Sequence, residues 1–398
     1  MLGFSGMSGP ATIGQRGLRE ISCVLVLFLA SSGTVQQYLG LAGVGGYLVG
    51  LAIAVPVALR VVLPWFSARV SERRALQLAI ATLVILVVAL AIVYPHVNVH
   101  TPGVGSDRDD AANLGTRHLF HLQYPYSTPT YLGNMVSQLP GAFILDAPFV
   151  ALGSSAYQNV LWLAVLFMLL RWWARDSRKA LFALWLVLAL SPALLREYLN
   201  GGDVIANTVA VLAFMLALIN LPRTGRWGHA APILAAVFLG LALAWRPNLW
   251  YWLPLATAAL VRRYGWRSAI GYTALAAGVC AAVILPFYLP HRHDFGPALT
   301  AGKVKRYDDV LPQSSLVVLG ATALLVLALT RRELRRARTF FADCALVQVF
   351  LLGFVVLLAS VQAGKPDFSS LVLAYGVFFL VPAAFALVQP GTRGGENG

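Results

Sequence analysis

Long apolar runs alternate with short polar breaks along almost the whole chain. A membrane-crossing helix takes about 17–25 apolar residues. Runs of this kind fall near 20–35, 42–64, 76–95, 156–172, 180–195, 204–221, 230–245, 248–261, 269–289, 314–330, 340–361 and 371–388. The pattern predicts an all-α polytopic integral membrane protein with about twelve transmembrane helices. In lipid every backbone polar group must be satisfied within its own segment, and the runs lack the short alternation of barrel strands. Only Arg246-Pro247 separates the runs 230–245 and 248–261, so their turn is expected inside the membrane. Arg16 and Arg19 precede the first run, but no small-residue cleavage site follows it, so it reads as a retained helix rather than a signal peptide. The expected organisation is one membrane domain over 1–398. A two-span extension (1–75) leads into a core (76–313) with a long extracytoplasmic loop at 96–155, and C-terminal spans (314–398) close the chain.

Composition agrees. Hydrophobic residues make up 59% of the 398, charged residues only 12%, and mean hydropathy is +0.73; a soluble domain carries roughly 25% charged residues. The net charge of +14 would suit nucleic acid if it were gathered on one face. It is instead distributed by loop. Arg69, Arg73, Arg74, Arg171 to Lys179, Arg262, Arg263, Arg267 and Arg331 to Arg338 fall in alternate connections, which is the positive-inside pattern. The expectation is a multi-pass cell-membrane protein with both termini cytoplasmic and no nucleic-acid partner. Asp107, Asp109, Asp110, Asp146, Glu197, Asp203, Asp294, Asp308, Asp309 and Asp367 all fall on the opposite, outer side, so chemistry that needs carboxylates is expected to face outward. Cys23, Cys280 and Cys344 lie in or beside runs, where cysteine acts as a small apolar residue. There is no Walker loop, dinucleotide fingerprint, HExxH or GxSxG.

Two outer connections are long, 96–155 and 288–313, and long loops are commonly functional. In the first, Leu114, His118, Leu119 and Leu122 recur at helical spacing, predicting a short amphipathic interfacial helix. Asp107 and the Asp109-Asp110 pair stand at its start, where the helix dipole favours negative charge. N-capping by Asp107 is the plain structural reading. The apolar stretch 139–152 is too short to span comfortably and is expected to be a second interfacial helix. Neighbours on a helix point about 100° apart, whereas Asp107 and Asp110 lie three apart and share a face. Spacing therefore favours Asp107 and Asp110 as the catalytic pair, with Asp109 close behind. Arg246 stands between apolar runs, where a charge is costly and commonly functional; snorkelling to the interface is the alternative. Arg196 and Glu197 share the next outer turn with Asp203, where pairing with each other is an equal reading. His291-Arg292-His293-Asp294 and the run Lys303 to Asp309 lie in the late loop. His118 and His121, with His96 and His100 upstream, raise a divalent-cation site with the acid cluster as the lesser reading; no cofactor is expected.

The series Asp107-Arg108-Asp109-Asp110-Ala111, a helix, Tyr124-Pro125-Tyr126, then Leu139-Pro140-Gly141 and an apolar helix resembles the first extracytoplasmic loop of GT-C membrane glycosyltransferases. It is most similar to the family 87-like polyprenyl-phosphate-mannose-dependent mannosyltransferases of actinobacteria. Trp245-Arg246-Pro247-Asn248, through Leu253-Pro254 to Arg262-Arg263, resembles the same branch, which carries a basic residue and Pro at this point. The likeness is strongest over 105–155 and fair over 230–267. The chain departs in having two spans ahead of the core and Arg where Lys is commoner. The resemblance implies transfer of a sugar, mannose first, from a lipid-phosphate-sugar donor to a glycolipid or glycan acceptor on the outer face. A carboxylate would take the acceptor proton or orient the hydroxyl, with Asp107 first as base and Asp110 orienting. Cations would stabilise the leaving phosphate, for which Arg246, Arg196 and Arg292 are the candidates. The competing expectation is a multi-span transporter or lipid-linked-sugar flippase, which should carry ionisable or helix-breaking residues within the membrane. A non-catalytic envelope scaffold is a third reading.

Overall fold

The computed structural model describes residues 13–99, 106–221, 228, 230–335, 339–369 and 374–388. His100, Gly105, the start of the last expected span and several basic loop residues lie outside that set. In chain order the helices are α1 (Ile13–Val57), α2 (Leu63–Arg69), α3 (Glu72–Val97), α4 (Arg108–Phe120), α5 (Pro140–Ala151), α6 (Gln158–Ala174), α7 (Ser177–Leu190) and α8 (Pro192–Leu199). Then follow α9 (Val204–Asn220), α10 (Ala230–Leu243), α11 (Leu253–Tyr264), α12 (Trp266–Tyr288), α13 (Gly296–Ala301), α14 (Ser314–Arg335), α15 (Phe340–Ala363) and α16 (Val377–Leu387). No strand occurs among the described residues.

The chain is an α-helical membrane protein, and its described residues carry fewer helices of spanning length than the twelve apolar runs predict. Five helices are long and apolar enough to cross a bilayer, or up to seven if each sharply bent pair is one span. Every expected run coincides with a helix. However, α10, α11 and α16 are 14, 12 and 11 residues long. That is roughly 16–21 Å at 1.5 Å per residue, short of a hydrocarbon core about 30 Å thick. For α16 the reason is interior position: it is buried along most of its length, so its apolar sequence answers to neighbouring helices. The longest stretch, Gly17–Arg69, is folded back on itself. Gly40 breaks it with φ 65° and ψ −170°, a conformation open to glycine. Tyr47 Oη then donates to Leu27 O at 3.1 Å, and Arg60 reaches Glu20 at 2.6 and 2.5 Å across the two arms. These are the two N-terminal helices expected from the runs 20–35 and 42–64.

The outer surface of the bundle is apolar, as lipid demands: on α3, Ile80, Val84, Ile85, Val88 and Ile92 are all exposed. Contacts between connections gather at two ends. One end holds Arg60–Glu20, Arg178 with Asp176 and Ser67 O, Arg262–Glu333 and Arg332–Asp343. The other holds Arg108–Glu197, Arg246–Asp203, Arg196 with Gln37, and the Phe368 amide on Gln36.

At the second end α5 is seated by its own first turn. The Leu139 and Gly141 amides donate to Trp245 O and Ala244 O at 3.0 and 2.8 Å, so the start of α5 continues from the end of α10. A Cβ on Gly141 would stand 2.6 Å from Ala244 O and strike Leu241 O as well. Backbone oxygens cannot rotate aside, so Gly141→Ala is expected to destabilise the protein by about 1–3 kcal/mol, read as a lowered unfolding midpoint in detergent. An unchanged midpoint would mean that this junction is looser than drawn.

Candidate functional site

Both predicted helices of the first long loop are present, as α4 and α5. α4 buries chiefly its small residues. Ala111, Ala112, Gly115 and Thr116 are buried and Leu119 packs half-buried against the core, whereas Leu122, past the end of the helix, is 95% exposed. The cause is the partner. α5 crosses so closely that the Phe143 ring lies where a Gly115 Cβ would stand, and close approach selects small residues.

The three carboxylates at the start of α4 have three separate environments. Asp107 occupies the N-cap position but makes no capping bond to its own helix. Its Oδ2 accepts instead from Thr130 Oγ1 at 2.5 Å and Asn134 Nδ2 at 2.8 Å. Oδ1 takes no hydrogen bond among the described residues, and the side chain is half-buried. Asp110 Oδ2 accepts the Tyr131 amide at 3.0 Å. The expected pair thus meets one turn, 130–134, which closes on the Thr130 and Asn134 backbone with Gly133 at φ 77°. Asp109 points the other way. It is 1% exposed, and its Oδ2 accepts Tyr94 Oη at 2.5 Å, which in turn meets Ser154 and Asn98. Asp107 and Asp110 are therefore partly open to the surface, whereas Asp109 is not.

Burial pushes the Asp109 carboxyl from its ordinary 3.8 up to about 6, against the opposing pull of the Tyr94 hydrogen bond. The folded chain then holds this proton more tightly than the unfolded chain. Its contribution to stability is full below pH 3.8 and is lost as pH rises through about 6, a change on the order of 3 kcal/mol. Asp109→Asn should flatten that part of the profile of unfolding midpoint against pH; a profile identical to wild type would show that Asp109 titrates normally.

The expected cations arrive near the same end but are mostly engaged. Arg246 is 6% exposed and bidentate on Asp203 at 2.7 Å, with Trp245 Nε1 also donating to Asp203 at 3.0 Å. Its Nη1 reaches Ser137 at 3.5 Å. Arg196 and Glu197 do not pair. Arg196 reaches Gln37 at 2.8 Å and lies over Tyr38, while Glu197 takes Arg108 at 3.0 Å on both oxygens. Neighbours on α8 diverge, which sends one inward and the other out. Arg292 is exposed, in a loop docked on the first by Tyr124 against His291 and Tyr126 against Phe295, with ring centroids 4.1 and 4.9 Å apart. The two long loops therefore meet.

Sequence reasoning missed Tyr94, Thr130, Asn134 and Tyr375, whose ring lies under the guanidinium of Arg108, itself marked by the acidic series. Nothing local marks them, since each acts on a partner distant in the chain. The histidines do not assemble: His96 bonds its own helix at Ile92 O, His121 is exposed, and no group of three or more His, Cys, Asp or Glu side chains suited to a metal occurs among the described residues.

No protein-family model, curated protein or solved structure matches this chain, so its assignment rests on its own residues: a helical membrane protein with an acidic loop site beside two buried ion pairs.

Proposed function

We propose that the chain is a membrane glycosyltransferase that moves a sugar, mannose first, from a polyprenyl-phosphate donor to an extracytoplasmic glycolipid or glycan acceptor. One observation carries this reading. Asp107 is anchored through one oxygen by Thr130 and Asn134, and its other oxygen makes no hydrogen bond among the described residues, at the end of the bundle where both long loops meet. An anchored carboxylate with an available oxygen suits a general base. The base takes the acceptor hydroxyl proton as that oxygen bonds the anomeric carbon, and the sugar–phosphate bond breaks to leave the lipid phosphate. Asp110, fixed by the Tyr131 amide, orients the acceptor. Arg246 reaches Ser137, three residues beyond Asn134, but Asp203 neutralises it. As a phosphate ligand it must share that carboxylate, and Arg196 and Arg292 remain the other cations for the leaving group.

The test is transfer of labelled mannose from polyprenyl-phosphate-mannose in membranes carrying the chain. Transfer above membranes without it supports the reading. Failure with this donor and a panel of other lipid-phosphate sugars overturns it in favour of transport. The transporter or flippase reading has its own supporting observation. Two helix pairs, α5 with 155–174 and α7 with α8, are bent by 94° and 88°, and buried Arg108–Glu197 and Arg246–Asp203 lie beside them. Broken helices carrying charge are also what carriers use. Movement of a lipid-linked sugar across proteoliposomes without any transfer would select it.

A further inference from the structure

Behind the Arg246–Asp203 pair lies a set of polar side chains that neither reading uses. Asp146 on α5, Gln158 and Asn159 at the start of α6, and Asn207 on α9 are each 0% exposed. Both Asp146 oxygens, Gln158 Oε1, Asn159 Oδ1 and Asn207 Oδ1 lack a hydrogen-bond partner among the described residues. Asn159 and Asn207 both meet the turn that carries Asp203. Asn159 Nδ2 donates to Gly202 O at 2.9 Å, and the Asn207 amide donates to Asp203 O at 3.0 Å. Asp146 has Asp203 and Arg246 as its charged neighbours, with the Gln158 side chain beside its carboxyl.

The imbalance is one of chemistry. Buried oxygens of this kind are satisfied in folded proteins, yet five acceptors here stand against one unbonded donor, Gln158 Nε2. Flipping the amides does not help, because Asn159 and Asn207 already spend their Nδ2 groups on Gly202 O and on Ala242 O at 3.0 Å. An excess of inward-facing acceptors calls for a cation. Charge decides which. Arg108 balances Glu197 and Arg246 balances Asp203, so Asp146, once ionised, carries the one charge that these two pairs leave without a counter-ion. One positive charge neutralises it. A divalent ion would leave a net charge buried in low dielectric, which is expensive. The oxygen-only ligand set likewise suits a hard cation.

We propose that Asp146, Gln158, Asn159 and Asn207 form a buried site for a monovalent alkali cation, next to the Arg246–Asp203 pair. The site binds the ion between α5, α6 and α9 and so ties the acidic loop to the bundle. It stands apart from the transfer chemistry, and its test needs no turnover.

The experiment is the unfolding midpoint of the purified full chain in nanodiscs, at fixed ionic strength and pH, as choline chloride is replaced stepwise by NaCl or by KCl. A ligand that binds only the folded state raises the midpoint in a saturable way. The expected result is such a rise with at least one alkali cation, lost in Asp146→Asn. In Asn159→Ala, which keeps the carboxylate, the rise should persist with half-saturation shifted to about tenfold higher concentration, the scale of one lost contact to a charge. Three results overturn the proposal: equal midpoints in choline, sodium and potassium for wild type; a rise that survives unchanged in Asp146→Asn and Asn159→Ala; or a midpoint that follows pH alone, with Asp146→Asn removing that dependence, in which case the carboxyl holds a proton. If Asp146→Asn does not fold, the Asn159→Ala shift decides. None of these outcomes depends on sugar transfer, so they leave the glycosyltransferase reading to its own assay.

Discussion

Asp107→Asn is expected to lower sugar transfer by about 10²–10⁴-fold, the usual worth of a general base, with the unfolding midpoint unchanged. The substitution keeps the shape of the side chain. An amide oxygen still accepts from Thr130 Oγ1 and Asn134 Nδ2, the two bonds that hold Asp107 in place. What it removes is the capacity to take a proton. Asp110→Asn preserves the bond from the Tyr131 amide and should act chiefly on acceptor binding, raising the apparent KM. Asp109→Asn should have the smallest effect on transfer, because Asp109 is buried against Tyr94 and faces away from an arriving acceptor. The three variants, expressed to equal levels in membranes and assayed for labelled-sugar transfer, therefore form an ordered series. Full activity in Asp107→Asn with loss in Asp110→Asn would move the base to Asp110. Full activity in both would remove the acid cluster from the chemistry.

Glu197→Leu should produce the largest loss of stability, about 3–5 kcal/mol, because it leaves a buried guanidinium without its counter-charge. Arg108 and Glu197 side chains are 7% and 5% exposed and meet at 3.0 Å. Glu197 also accepts the Val204 amide at 2.9 Å and fills the space over Gly202, where a Cβ would collide with the carboxylate. The Tyr375 ring, 4.7 Å from the Arg108 guanidinium carbon, offers weak compensation by comparison. Replacing both partners with apolar residues, Arg108→Met with Glu197→Leu, should recover most of the loss, since removing a buried pair entirely is commonly close to neutral. Arg196→Ala is the control. Its side chain is half-exposed and reaches Gln37, so its effect should be about 0.5 kcal/mol or less. Unfolding in mixed detergent–SDS micelles reads all three. A Glu197→Leu loss no larger than that of Arg196→Ala would mean that Arg108 finds water or another anion.

The acid loop shows how far spacing reaches. The three-residue interval predicts that Asp107 and Asp110 share a face, and both do turn to the segment 130–134. The same reasoning misses what holds them, because Thr130, Tyr131 and Asn134 are ordinary loop residues until the chain folds back. Arg246 is similar. Its isolation between apolar runs marks it as unusual, but its bidentate partner Asp203 is 43 residues away. The likeness of Arg196 and Glu197 to an adjacent ion pair fails because one helical step separates their directions, so each finds a partner elsewhere.

The amino-acid pattern by itself determined that this chain is helical, membrane-embedded and alternating in loop charge, and where nearly every helix lies. Those properties depend on the periodicity and length of apolar runs and on the breaks between them, such as that between 20–35 and 42–64, which act within a few residues. The tertiary structure alone decided which helices are long enough to meet lipid across a bilayer, that α4 packs chiefly by its small residues, and that Arg108, Glu197, Arg246, Asp203 and Asp146 converge. A segment buried among helices and one buried in lipid carry the same apolar sequence, and a buried charge is tolerated only by a partner that the chain brings from far away.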